Sequence, residues 1–169
     1  MEVIQAAVEH AAGIAAVHVL AWQRAYTDLM PGEFLRSLSI AGRAESWRES
    51  LKRDTPRTLV AIEADAVIGF AAFGPQREAG AEASLGELWA LYVSPAHWGQ
   101  GVGRALWLAA RERMRAEGYR SVSLWVLAGN EQAIRFYRAA GFEPVPGPGS
   151  PVVLGGARLE HVRYVTPLR

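Results

Sequence analysis

Hydrophobic residues recur along the chain with two different periods, and each period predicts one type of secondary structure. Ile14, Val17 and Ala21 lie three or four residues apart, as on one face of an amphipathic helix. Short apolar runs bounded by turn-forming residues predict strands, two of them joined by a tight turn at 63–65. The predicted elements, in chain order, are a strand at 2–6, helices at 8–25 and 33–52 (the second in two pieces around 41–42), strands at 58–62, 66–73 and 84–93, a long helix that ends near 117, a strand at 121–126, a helix at 130–139, strands at 142–145 and 158–166, and a surface loop over 144–156.

The strand predicted at 84–93 carries a single charged residue, Glu87. Its side chains should point alternately to opposite faces of the sheet. This alternation would place Glu87 on the same face as Trp89 and Leu91, and Leu88 on the other face. The strand ends at a Ser-Pro pair, which favours a turn directly after it.

Strands joined by turns and strands joined by helices are mixed along the chain, which predicts an α+β fold with a mixed sheet. The 169 residues are 50% hydrophobic and 21% charged, as in a globular protein, and 1–169 are expected to form a single domain. The net charge of +1 gives no reason to expect a nucleic-acid partner. Cysteine is absent, which excludes disulfides, zinc–thiolate sites and a cysteine nucleophile.

No stretch is long and apolar enough to span a membrane, and no basic segment precedes the first apolar stretch as in a secretory signal. A cytoplasmic protein without a membrane partner is therefore expected. No pair among the four histidines, at 10, 18, 97 and 161, has a metal-ligand spacing, so no metal site is expected.

A glycine-rich run, Trp98 to Gly103, lies between a predicted strand and a long helix. Glycines let the backbone approach a ligand closely, and the first N–H groups of a helix have no partner within the helix. The arrangement therefore favours an anion such as a pyrophosphate, with Arg104 adding positive charge.

Several alternatives compete for this run. A mononucleotide P-loop fails because Arg104 and Ala105 follow Gly103 in place of Lys and Ser or Thr. A dinucleotide-binding turn for a nicotinamide oxidoreductase lacks its third glycine and the acidic residue after the next strand. A turn with no ligand at all also stays open, since short motifs often match by chance.

Two segments together resemble the GNAT superfamily of acyl-CoA-dependent N-acyltransferases. ELWALYVSPAHWGQGVGRAL is similar to the superfamily's cofactor motif, a strand followed by R/Q-x-x-G-x-G/A, although Trp98 stands where Arg or Gln is usual. NEQAIRFYRAAGF is similar to its N-x-x-A-x-x-F-Y-x-x-x-G-F motif. The two motifs occur in the family's order and cover the central and C-terminal part of the chain.

The resemblance implies a twisted, mostly antiparallel sheet in which two adjacent parallel strands, here 84–93 and 121–126, splay apart to admit acyl-CoA. The strand backbone would hold the pantetheine arm and stabilise the thioester oxygen, and the glycine run would hold the pyrophosphate. The residues expected to bind the acyl-CoA are Leu91, Tyr92, Val93, Gly99, Gln100, Gly101, Val102, Gly103, Arg104, Asn130 and Tyr137.

Two residues are candidates for proton transfer. The resemblance places Tyr137 near the sulfur, where a phenol of pKa about 10 can protonate the departing thiolate. Glu87 is the candidate base that would accept the amine proton, as a Glu near this strand position does in many relatives. The alternatives are that Tyr137 is a core residue and that Glu87 is an ordinary strand-end carboxylate.

The acceptor side is implied by the same resemblance. The first two helices and the last hairpin wall the amine site in similar proteins, which here implies Trp22, Tyr26 and the turn at 28–32, together with 146–156. Trp22 and Tyr26 therefore join Glu87 as predicted substrate-binding residues. Both aromatics could instead be core residues, and Asn130 could serve only as a helix cap.

The sequence thus predicts an N-acetyltransferase that transfers the acetyl group of acetyl-CoA directly to a small-molecule or peptide amine. The alternative is a non-catalytic acyl-CoA sensor of the same fold. Homodimers are common among similar proteins, so a homodimer is one assembly that the resemblance allows.

Overall fold

The computed structural model describes residues 1–169. Most of the predicted helices and strands are present, with bounds shifted by one to three residues. The elements are β1 (Glu2–Gln5), α1 (Ala11–Ala25), α2 (Gly32–Ser37), α3 (Ile40–Leu51), β2 (Arg57–Glu63), β3 (Ala66–Pro75), β4 (Leu85–Val93), α4 (Val102–Ala116), β5 (Ser121–Leu127), α5 (Glu131–Ala139), β6 (Glu143–Pro144), β7 (Ser150–Leu154) and β8 (Ala157–Pro167).

The strands form one mixed sheet with the order β1-β2-β3-β4-β5-β8-β6, and β7 also pairs with β8. Only β4 and β5 are parallel; the other neighbouring pairs are antiparallel. The prediction of an α+β fold with a mixed sheet is confirmed. None of the helices has both the length and the apolar character needed to cross a membrane.

The parallel strands β4 and β5 separate after a short paired segment. Leu85–Glu87 pair with Ser121–Ser123, and the register ends there. The C-terminal parts of both strands therefore border a gap in the middle of the sheet. This is the splayed pair that the sequence predicts.

Helices cover both faces of the sheet. On one face, α4 contributes Leu106 and Met114 to a core that also includes Phe142. On the other face, Ile14 and Val17 of α1 pack against β2 and β3. Burying each of these large side chains stabilises the fold by about 1.5–3 kcal/mol relative to exposure. The two cores therefore lie on opposite faces of the sheet that contains the gap.

A β-bulge interrupts the alternation of β4. Ala90 pairs with Ala72 and Leu88 with Phe73, which leaves Trp89 as an extra residue. Leu88 consequently packs in the same core as Leu91, on the α4 side of the sheet. The prediction that Glu87 and Leu91 share a face, opposite Leu88, is therefore wrong, because the inserted residue reverses the alternation.

Two further boundaries differ from the prediction. The break between α2 and α3 falls before Ile40 and not at 41–42, because the Ser39 hydroxyl caps α3 by accepting a hydrogen bond from Gly42 N at 3.1 Å. The stretch 144–156 contains β7, which pairs with the first half of β8 and is not entirely a loop. Its Pro and Gly content predicts a loop, but pairing with β8 makes part of it a strand.

Candidate active site

A cavity of about 490 Å³ lies at the gap between β4 and β5. Its walls come from α1, β4, the turn between β4 and α4, β5, α5, β7 and β8. Most of the predicted site residues line it: Trp22, Tyr26, Leu91, Tyr92, Val93, Gly99, Gly101, Val102, Gly103, Arg104, Asn130 and Tyr137. Residues far apart in sequence are thus brought to one cavity, and only Gln100 and Glu87 are left outside its lining.

The turn between β4 and α4 presents bare backbone to the cavity. Gly99 and Gly101 have φ angles of 75° and 82°, a left-handed conformation that glycine adopts without strain. A Cβ at either position would meet no atom within 4 Å, so the space beside both is open. The helix begins at Val102, so its first N–H groups lie at this opening without partners in the helix. We call this region the glycine end of the cavity.

Gln100 lies in the same turn, but its side chain does not line the cavity. Its Nε2 donates to the carbonyl oxygen of Ala96 at 3.0 Å, and its side chain is exposed. In this conformation Gln100 stabilises the turn and does not reach the cavity. Its predicted role in cofactor binding therefore stays a prediction.

Trp98 connects the glycine turn to β4 through a side-chain hydrogen bond. Its Nε1 donates to the carbonyl oxygen of Val93 at 2.8 Å, and its ring lines the cavity. The residue that departs from the family motif thus fixes the start of the glycine turn through a hydrogen bond to β4. With Trp98 at this position, the turn has left-handed glycines at 99 and 101.

The edge of β4 that borders the gap carries unpaired N–H groups. Ser94 N donates to Ile68 O on β3 at 2.8 Å. Because N–H groups alternate between the two sides of a strand, those of Leu91 and Val93 point away from β3, toward the gap. The pairing with β5 has already ended at this level. These donors are free to bind an extended ligand, as a further strand would.

Tyr137 projects from α5 into the same gap. Its ring packs edge-on against Phe136 and Phe142, with centroids 5.3 and 5.6 Å away. Only 9% of the residue is exposed, yet it lines the cavity. Burial raises the pKa of the Tyr137 phenol, and the nearby Tyr92 adds to this effect. The phenol therefore stays protonated at neutral pH.

Asn130 holds the start of α5. Its Oδ1 accepts a hydrogen bond from Ala133 N at 3.2 Å, which confirms the predicted N-cap. Asn130 also lines the cavity, so a cap and a ligand contact are compatible. The cap fixes the first turn of the helix that carries Tyr137.

Tyr26 and Tyr92 connect α1 to β4 across the cavity wall. Their hydroxyl oxygens are 3.2 Å apart and share a hydrogen bond. Tyr92 stacks on the His18 ring, with centroids 5.3 Å apart. Burial lowers the pKa of His18 to about 4, with a further contribution from Arg43, so this imidazole is neutral at pH 7. The three side chains are uncharged. Tyr26 and Tyr92 line the cavity, and His18 packs against Tyr92 outside the lining.

Glu87 lies outside the cavity lining and is held by Arg77. It is only 2% exposed. One carboxylate oxygen accepts the backbone N–H of Arg77 at 3.0 Å, and the other accepts from the Arg77 guanidinium. The structure therefore does not bring Glu87 together with Tyr137 at the cavity. Arg77 itself lines the cavity and stacks on Trp89, with the guanidinium carbon 4.5 Å from the ring centroid.

A second part of the cavity, which we call the aromatic end, combines predicted and unpredicted residues. The sequence predicts Trp22, Tyr26 and the segments 28–32 and 146–156 here. It does not predict Arg77, Trp89, Trp125 and His161, whose approach to the cavity depends on long-range strand pairing and not on a local motif. Trp22, Met30, Val152 and Leu154 pack in one cluster with Tyr26, and Trp125 lies beside His161 with ring centroids 6.1 Å apart. The aromatic end comprises Trp22, Tyr26, Met30, Arg77, Trp89, Trp125, Val152, Leu154 and His161.

A parallel strand pair that opens onto a glycine turn, with a phenol from α5 at the same cavity, is the arrangement that the resemblance implies for acyl-CoA-dependent acyltransferases. Residues 19–142 match the acetyltransferase (GNAT) family model. The chain belongs to this family and is an acetyltransferase.

A curated relative extends the likeness over most of the chain. The uncharacterized N-acetyltransferase YuaI of Bacillus subtilis is 34% identical over 159 residues, which cover 94% of this chain and 88% of that protein.

Solved structures share the fold at lower identity. YncA of Salmonella typhimurium, a putative acetyltransferase solved with acetyl-CoA, superposes with a TM-score of 0.77 at 24% identity, covering 100% of this chain and 94% of that chain. The PaiA N-acetyltransferase of Thermoplasma acidophilum, solved with coenzyme A, gives a TM-score of 0.74 at 21% identity and 96% coverage of both chains.

The residues of this chain fit an acyl-CoA. Its pyrophosphate needs free backbone donors in open space, which Gly99, Gly101 and the start of α4 supply. Its pantetheine arm carries amides, which match the unpaired edge of β4. Arg104 lines the cavity and adds positive charge at the glycine end.

Proposed function

We propose that this protein transfers the acetyl group of acetyl-CoA directly to a primary amine. One observation carries the proposal: the phenol of Tyr137, the free edge of β4 and the glycine turn all line the same cavity. The glycine end would bind the donor, and the aromatic end would bind the amine. Direct transfer is favoured because the chain has no cysteine to carry the acetyl group covalently.

Bound acetyl-CoA supplies a thioester whose carbonyl carbon forms a bond to the amine nitrogen while its bond to sulfur breaks. The N–H groups of Leu91 and Val93 face the gap and can donate to the thioester oxygen as it gains negative charge. Tyr137 donates its proton to the sulfur. Burial keeps the Tyr137 phenol protonated, so its proton is available when the sulfur departs, and the same burial disfavours an unprotonated thiolate.

The amine must be neutral to attack, although an alkylammonium of pKa near 10 is mostly protonated at pH 7. His161 is the better placed acceptor for its proton, because it lines the aromatic end whereas Glu87 does not. Desolvation lowers the pKa of His161, so the imidazole is neutral at pH 7 and can accept a proton. Neither β5 nor β7, the strands that flank β8 at His161, carries a titratable side chain.

The variant His161→Gln tests this role. We expect kcat at pH 7 to fall about tenfold, because no side chain then accepts the amine proton. The loss should shrink above about pH 10, where most of the amine is deprotonated in solution. In the wild type, activity should fall as pH drops through the lowered His161 pKa. His10→Gln is the control, since His10 lies outside the cavity lining and its imidazole accepts a hydrogen bond from Ala7 N. Parallel pH profiles for wild type and His161→Gln would exclude His161 as the base.

Binding of the donor can be tested by thermal unfolding. Acetyl-CoA at about a hundred times its Kd should stabilise the folded chain by about 2.7 kcal/mol, which raises Tm by roughly 5 to 10 °C. NADH at the same concentration is the control and should give no shift. A shift with NADH and none with acetyl-CoA would reject the proposed donor site.

One observation favours a second candidate, an acyl-CoA-binding protein without turnover. The cavity lining contains no carboxylate, and the predicted base Glu87 is buried and paired with Arg77. Such a protein would bind acetyl-CoA with the same thermal shift but would release no thiol when amines are added.

A further inference from the structure

The aromatic end of the cavity differs chemically from the glycine end. Three of its side chains are tryptophans, Trp22, Trp89 and Trp125, and three more are aliphatic, Met30, Val152 and Leu154. Tryptophan rings offer large flat surfaces against which an apolar group can pack. This end of the cavity is suited to a ligand that carries an apolar group.

The lining of the aromatic end carries no negatively charged side chain. No Asp or Glu is among the residues that line the cavity, and the cations at this end are arginines. Arg77 lines it, and the guanidinium carbons of Arg43 and Arg163 lie 5.2 and 5.8 Å from the ring centroids of Trp22 and Trp125. The Glu87 carboxylate is already bonded to Arg77. An ammonium group bound here would have no carboxylate partner, and burying an unpaired charge is costly. A ligand with a second ammonium is therefore disfavoured.

We propose, on the basis of the proposed function, that the acceptor is a primary monoamine carrying an aromatic or other bulky apolar group, and not a polyamine. The apolar group packs among the tryptophans, and the amine nitrogen points toward the gap between β4 and β5. The single nitrogen loses its charge before it reacts, so the site needs no carboxylate. A diamine keeps a second charge that this wall does not stabilise.

The strand β7 offers a matched pair of variants to test this substrate class. Val152 lines the cavity, whereas its neighbour Val153 is 68% exposed and lies outside the lining. Val152→Asp and Val153→Asp make the same chemical change one residue apart, on opposite faces of the strand. Only the first places a carboxylate in the aromatic end.

The probes are 2-phenylethylamine and 1,4-diaminobutane, each assayed with acetyl-CoA by thiol release. We expect the wild type to favour 2-phenylethylamine in kcat/KM by at least about tenfold. Val152→Asp should lower this preference by about tenfold or reverse it, and Val153→Asp should leave it unchanged. All three proteins should show the same thermal shift with acetyl-CoA.

A wild type that favours 1,4-diaminobutane would overturn the inference and leave the proposed transferase function intact. Equal preferences in Val152→Asp and Val153→Asp would also overturn it. Acetyl-CoA binding without amine-dependent thiol release from either probe would contradict this substrate class. If a wider range of amines also fails, the transferase function fails as well.

Discussion

Replacing Tyr137 with Phe should lower kcat roughly 100- to 1,000-fold, because the departing thiolate then loses its proposed proton donor. The change removes one oxygen and keeps the ring that packs against Phe136 and Phe142. The fold should therefore be retained, and the Kd for acetyl-CoA should change less than threefold. Steady-state rates and calorimetric titration of acetyl-CoA measure the two effects separately.

Tyr119→Phe is the matched control, since Tyr119 follows α4 and lies outside the cavity lining. It should keep full activity. If Tyr137→Phe retains wild-type kcat at neutral pH, Tyr137 is a packing residue and takes no part in proton transfer.

Replacing Gly101 with Val should weaken acetyl-CoA binding at least about tenfold, equivalent to about 1.4 kcal/mol. The new side chain would occupy the open space where a pyrophosphate reaches the first N–H groups of α4. It also forces a β-branched residue to adopt a φ of 82°, which costs about 1–2 kcal/mol in stability. Calorimetric titration measures the change in affinity, and chemical denaturation measures the change in stability.

The variant Gly118→Val is the control that distinguishes the effect of backbone strain from a direct effect on acetyl-CoA binding. Gly118 has a φ of 93°, also has open space around it, and lies at the other end of α4. This variant should lose a similar amount of stability and keep wild-type affinity for acetyl-CoA. Equal loss of affinity in both variants would show that the glycine turn acts through stability alone.

The glycine end of the cavity could be predicted from the sequence because its determinants are local. Glycines at 99, 101 and 103 follow a strand and precede a helix, and Asn130 caps the next helix within a few residues of Tyr137. Such short-range patterns fix backbone geometry whatever the rest of the chain does. The structure accordingly places nearly all of these residues at one cavity.

The position of Glu87 outside the cavity lining could not be predicted from the sequence. Its expected direction relied on strict alternation along β4, and the bulge at Trp89 reverses the faces beyond it. Its partner Arg77 lies ten residues earlier in the chain, after β3, and no motif connects the two. Trp125 and His161 have the same origin, since they come together only through the pairing of β5 with β8.

The most direct test of the central claim is to follow thiol release and acetamide formation together. The wild type would be incubated with acetyl-CoA and a panel of alkyl, aryl, diamine, amino-acid and peptide amines. We predict amine-dependent thiol release, with one molecule of N-acetyl product formed for each thiol released. Tight binding of acetyl-CoA with no amine-dependent thiol release across the panel would contradict the account, and would identify the protein as an acyl-CoA-binding member of the family without transferase activity.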